Sequence, residues 1–185
     1  MNLWSYITNK KKANWTPTLW VCPFLVSTVP EKVIYQLHTN NGLKRGFVQD
    51  RILIDAGPFI ALFDAGDMHH KGIRNFLIER RYCYISTLAV ITEVSHMLDF
   101  SIKAQQDFYE WITIKGVIIS DINQHDMPRI AELTKKYSDV PMDFADATLV
   151  VTAEKTGIQE IISLDRDFDI YRLPGKENIR NVYRT

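Results

Sequence analysis

From residue 51 onward the apolar positions of this chain switch period at regular intervals. Ile52-Leu53-Ile54 is a short unbroken β-type run, followed at once by Asp55, Ala56, Gly57 and Pro58. After it, Phe59, Ile60, Leu62 and Phe63 fall at helical spacing. A second helix is expected from Asp67, a candidate N-cap, to about Arg80, with Ile73, Phe76 and Leu77 on one face. A strand then covers residues 82–86, and Ser86 or Thr87 caps a helix carrying Leu88, Ile91, Val94, Met97 and Leu98. Further helices are predicted over 101–112, from Asn123 or Asp126 to about Tyr137, and over 144–155 with Gly157 as the stop. Strands are predicted over 116–119 and 160–163, with a last short one in 179–183. Strands separated by helical segments form βαβ units, so the fold class is α/β with a mostly parallel sheet.

Residues 1–50 do not share this rhythm. They hold Trp4, Trp15 and Trp20, the triplet Lys10-Lys11-Lys12, three prolines and the turn-like Asn40-Asn41-Gly42, with no sustained period. The division expected is an N-terminal extension over 1–50 of uncertain order, read as a poorly ordered arm with an element packed through its tryptophans as the alternative, and a functional domain over 51–185. A length of 185 residues suits one domain with an appendage. The 22 basic and 22 acidic residues cancel, which excludes a protein held to nucleic acid by bulk positive charge and leaves only a local patch. Cys22 and Cys83 lie in no CxxC or Cys/His array, so no zinc site is expected, and a reduced cytoplasmic setting fits. No apolar run approaches the ~18 residues of a membrane span. The run 19–26 after the lysine triplet is too short for a signal peptide, is broken by Pro23, and precedes no A-x-A-like site.

The candidate chemistry is carried by acids. In open parallel sheets ligands bind outside the carboxyl ends of the strands. Asp55 and Asp165 each follow such a strand end. Glu93 stands in the otherwise apolar helix LAVITEVSHML, and Asp146 stands early in FADATLVV between Ala145 and Ala147, whose small side chains would let that helix approach closely. Each acid alone has a plainer reading as a turn residue, a paired core acid or a helix-start charge. Asp143 in particular sits at the helix cap. Four acids brought to one place from four elements, however, are costly to hold together without cations. Hard oxygen ligands without matching Cys or His suit Mg²⁺ or Mn²⁺ and in-line phosphoryl chemistry.

The set ILIDAGPFIALFD, TLAVITEVSHML, PMDFADATLVVTAEKTG and IISLDRDFDIYR resembles the PIN-domain ribonucleases, and most of all the VapC toxins of toxin–antitoxin pairs. The likeness spans about residues 51–175. It implies an α/β/α sandwich and cleavage of single-stranded RNA with Mg²⁺ or Mn²⁺. It also implies a homodimer and a VapB-like antitoxin partner. The family's acids fall on Asp55, Glu93 and Asp146, with the fourth on Asp165, Asp167 in reserve and Asp143 as a helper. A PIN nuclease of RNA processing outside toxin systems and an inactive PIN-fold binding module are the alternatives. The 50 residues before the first strand are a departure from most such toxins.

Other features change little. His69 and His70 read as surface or capping residues, and His96 as helix packing. Arg80-Arg81, Lys135-Lys136, Arg166 and Arg172 are candidate phosphate contacts, the lysine pair more simply a solvated face. Phe108, Tyr109 and Trp111 read as core or dimer surface. A haloacid-dehalogenase-type phosphatase would need a second Asp two residues after the first, where this chain has Gly57. A response-regulator receiver would need its Asp after a middle strand and a late lysine at a strand end, and neither is present.

Overall fold

The computed structural model describes residues 50–80, 82–140 and 142–184, so the expectation of a poorly ordered arm over 1–49 lies outside the described residues. Five strands form one sheet: β1 (Arg51–Ile54), β2 (Cys83–Thr87), β3 (Ile118–Ser120), β4 (Glu160–Ile162) and β5 (Arg180–Asn181). Their order is β3-β2-β1-β4-β5 and every pairing is parallel. Six α-helices flank it: α1 (Ala56–Phe63), α2 (His70–Glu79), α3 (Leu88–Met97), α4 (Ile102–Thr113), α5 (Met127–Lys136) and α6 (Phe144–Thr156). Three consecutive residues of the central strand, Ile52, Leu53 and Ile54, are wholly buried. A strand that is apolar at every position must be covered on both faces, which is the three-layer α/β/α sandwich expected.

The local signals act where the chain places them. Thr87 caps α3 by accepting from the Val90 N–H, while Ser86 Oγ donates to the Ile54 carbonyl at 2.8 Å and so ties β2 to β1. Gly157 closes α6 in the left-handed region, at φ 70°. α6 is buried nearly all round, with Ala147, Leu149, Val150 and Ala153 inaccessible, which is why its sequence carries no amphipathic stripe. Phe108 and Trp111 of α4 pack tilted and edge-on against Phe59 and Phe63 of α1, so both belong to the core, while Tyr109 points outward.

Three boundaries differ from expectation. The second helix begins at His70, not Asp67. Asp67 instead closes a turn by accepting from the His69 N–H at 2.6 Å, and His70 Nδ1 lies 2.8 Å from the Ala61 carbonyl. Asn123 does cap a helical turn, but a short 3₁₀ one (Gln124–Asp126), and the Asp126 carboxylate returns to the Asn123 N–H before α5 starts. Strand β3 begins at Ile118 rather than 116. Lys115 takes a positive φ of 62°, and the Gly116 N–H bonds to the Trp111 carbonyl. A Cβ at Gly116 would lie 2.2 Å from the Trp111 ring, so these two residues belong to the turn. No helix among the described residues is long and apolar enough to cross a membrane.

Candidate active site

Parallel pairing brings the ends of β1, β2 and β4 to one edge, and the acids collect there. Asp55 leaves β1 as the N-cap of α1, its Oδ1 accepting from the Ala56 N–H at 2.7 Å. Its own N–H donates to the Ile162 carbonyl at 3.0 Å, extending the β1–β4 pairing by one step. Its Oδ2 accepts from Ser163 Oγ at 2.7 Å, and the same Oγ accepts from the Asp165 N–H at 2.9 Å. One hydroxyl thus links two acids from two strand ends. Ser163 is held in turn by Asn181 of β5, whose Nδ2 donates to the Ser163 carbonyl at 2.8 Å.

The third acid arrives on α6. Asp143 is the helix cap, its Oδ1 accepting from the Asp146 N–H at 2.8 Å, which is the capping role its position predicts. Asp146 Oδ2 accepts from the Tyr171 hydroxyl at 3.0 Å. The Tyr171 ring is wholly buried between Tyr137 and Phe168, so it is a rigid support for that carboxylate. α6 is docked to the edge by Thr148, whose Oγ1 lies 2.7 Å from Thr87 Oγ1 at the end of β2. Inaccessible Ala147 and nearly buried Ala145 let the helix come this close.

The charges feel one another. Burial pushes the Asp55 carboxyl up to about 6, against the pull of the Ser163 and Ala56 donors, and Asp143 and Asp165 raise it further. Asp146 is pushed up to about 7, by burial first, then by Asp55 and Asp143, with Tyr171 opposing. Glu93 also titrates higher than an ordinary glutamate, from desolvation first and then the charges of Asp55 and Asp143. Glu93 is nevertheless exposed, so the paired-core-acid reading of it is wrong. It faces the cluster from α3 across its open side. Asp165 adds charge to both Asp55 and Asp146, whereas Asp167 responds to burial and to Asp165 and acts on neither. Asp165 also shares the Ser163 hydroxyl with Asp55, while Asp167 acts on Tyr171.

The donor set is oxygen throughout, with no histidine or cysteine in it; His96 is exposed on α3 and lies 4.0 Å from Asp99. Among the described residues no three acidic, histidine or cysteine side chains already meet as a cage for an ion. The carboxylates interact through charge and are otherwise occupied by Ser163, Tyr171 and backbone donors. Raised pKa values in a set of mutually repelling carboxylates are what a divalent cation would relieve, so the donor set fits Mg²⁺ or Mn²⁺ after side-chain adjustment.

Sequence reasoning overlooked Ser163 and Tyr171. Ser163 was legible only as the small polar residue between a buried strand and an acid, and nothing marked Tyr171. Arg172 Nη1 donates to the Asp169 and Tyr171 carbonyls at 2.7 and 2.9 Å, so this guanidinium is partly committed to the backbone. Arg80 lies over the Phe76 ring and Lys136 over the Tyr137 ring.

An acid cluster at the carboxyl edge of a parallel sheet lies where open α/β folds place their ligands. Residues 52–173 match the model of the PIN domain, and the chain belongs to that family. The solved structure of Mycobacterium tuberculosis VapC20, described as a toxin that cleaves the sarcin–ricin loop, superimposes with a TM-score of 0.60 at 20% identity, covering 64% of this chain and 93% of that one. At that identity the likeness establishes the shared fold. No curated protein sequence is significantly similar to the chain.

Proposed function

We propose that this PIN-domain protein is a divalent-metal-dependent ribonuclease that hydrolyses RNA phosphodiester bonds and acts as the toxin of a toxin–antitoxin pair. The observation that carries the reading is the convergence of Asp55, Asp146 and Asp165 at the carboxyl edge of the parallel sheet of a PIN domain, Asp55 and Asp165 on one Ser163 hydroxyl and Asp146 on Tyr171. The toxin assignment is supported by the fold shared with VapC20. Asp55, Asp146 and Asp165 would hold Mg²⁺ or Mn²⁺, with Glu93 as a further ligand or as the group that orients the attacking water. Such an ion, when bound, lowers the pKa of water and offsets charge on the phosphate.

The chain's own residues prepare that chemistry. Ser163 fixes the orientation of Asp55, and Tyr171 fixes that of Asp146. Helix α6 brings Asp146 to the edge with its N-terminus, whose dipole also favours negative charge there. Glu93, on the solvent side, is free to accept a proton from water as the phosphodiester is attacked, and desolvation with the charges of Asp55 and Asp143 raises its pKa, which makes it a stronger base. A VapB-like antitoxin and a homodimer complete the reading, with a cytoplasmic site of action. The test is cleavage of single-stranded RNA in Mg²⁺ or Mn²⁺ by the wild type beside Asp146→Asn. Loss of at least about 100-fold is expected, as is complete inhibition by a chelator; equal rates in wild type and variant refute the reading.

A further inference from the structure

A cleft of about 250 Å³ opens directly beside the acid cluster, on the β5 side. Ser163, Leu164 and Asp165 line it where it joins the site, and Arg166, Tyr183 and Arg184 line it further out. The four arginines between positions 166 and 184 divide into two kinds. Arg172 is partly committed to backbone carbonyls, and Arg180 is paired with Glu160. The Arg166 guanidinium has no hydrogen-bond or ion-pair partner among the described residues, and Arg184 has a solvent-exposed ion pair with Asp169 at 3.7 Å. Asp169 lines the cleft beside Arg184, and both guanidiniums border it. They are the positive counterpart that an acid cluster lacks, for carboxylates alone repel a polyanion along its whole length.

We propose that this cleft is a nucleotide subsite for the RNA strand next to the scissile bond. Arg166 and Arg184 take the phosphate of the flanking nucleotide, and Leu164 and the Tyr183 ring form the apolar wall for its base. The inference rests on the ribonuclease reading for the identity of the strand. It adds which side of the site the strand follows and which residues grip it. Guanidinium suits this task because its fork of donors matches two phosphate oxygens at once. At about 250 Å³ the cleft lies just under the roughly 300–1,000 Å³ of small-ligand pockets, a scale that suits part of a single nucleotide. The edge is rigid where it matters: Asn181 bonds to both the N–H and the carbonyl of Ser163, and the Tyr183 ring is braced edge-on by Phe76 at 5.2 Å.

The experiment measures binding apart from cleavage. A short fluorescein-labelled single-stranded RNA of mixed sequence is titrated into the full chain carrying Asp55→Asn, with and without Arg166→Ala plus Arg184→Ala, across a salt series. Both arginines are exposed, and thermal melting verifies that the variants fold. The double change is expected to weaken binding at least tenfold and to flatten the salt slope by at least about 0.7, the contribution of one phosphate contact to a single strand. Arg166→Lys should retain most of the slope while losing affinity, and Lys135→Ala on α5 should change neither. Unchanged affinity and slope in the double variant overturn the subsite and leave the two arginines to a protein partner. Absence of any RNA binding by the Asp55→Asn chain overturns it too. Arginine-dependent binding by a wild type that cleaves nothing would instead refute the nuclease reading and keep the subsite.

Discussion

Ser163 donates its hydroxyl proton to Asp55 at 2.7 Å, across a separation of 108 residues, and accepts the Asp165 N–H with the same oxygen. This bond lowers the Asp55 pKa against a larger effect of burial. Ser163→Ala removes it and leaves the Asp165 N–H without that acceptor. A stability loss of about 1–2 kcal/mol is expected from the lost hydrogen bonds, read by denaturant unfolding. Asp55 should then titrate still higher, so the pH at which RNA cleavage reaches half its maximum should move upward. A variant with unaltered stability and pH profile would remove Ser163 from the account.

The metal-free protein should lose stability as pH rises. Asp55 and Asp146 have folded pKa values, about 6 and about 7, above the ordinary aspartate value. The folded state therefore holds their protons more tightly than the unfolded chain. That contribution is fully present below about pH 4 and disappears as pH passes through 6 to 7. Asp55→Asn should raise the melting temperature of the chelator-treated protein at pH 8, by up to about 2 kcal/mol in stability, with the gain shrinking toward pH 5. A variant less stable than wild type at pH 8 would mean that Asp55 is not under charge strain.

Glu93 separates function from folding. Its side chain is exposed and makes no hydrogen bond among the described residues, so Glu93→Gln should leave stability within about 0.5 kcal/mol. RNA cleavage should fall at least about 100-fold, the lower end for a lost general base. Activity equal to wild type at matched stability would reduce Glu93 to a surface charge.

Much of this was legible before the coordinates. The switch between unbroken apolar runs and helical spacing marks β1, β2 and β4, because strands covered on both faces must be apolar throughout. The positions of Asp55 and Asp146 follow from a strand end and a helix start. The partners that orient them do not. Tyr171 lies 25 residues beyond Asp146 and Ser163 lies 108 beyond Asp55, so only tertiary pairing brings them together. The exposure of Glu93 was hidden in a related way. Its apolar neighbours suggested a buried face, yet Val90, Ile91 and Val94 turn inward while Glu93 and Met97 turn out. The two arginine classes were likewise invisible, since Arg166 and Arg172 differ only in which carbonyls the chain happens to present.

Divalent-cation binding tests the central claim most directly, because it asks whether the four acids act as one site. Thermal melting of the wild type is followed against Mn²⁺ and Mg²⁺ at several pH values, beside Asp55→Asn and Asp146→Asn. The account predicts saturable stabilisation of the wild type by Mn²⁺. That stabilisation should grow as pH rises past 6 to 7, where both aspartates give up their protons, and either substitution should remove most of it. A melting temperature indifferent to both cations, or raised equally in all three proteins, would contradict a shared metal site at the β1–β4 edge.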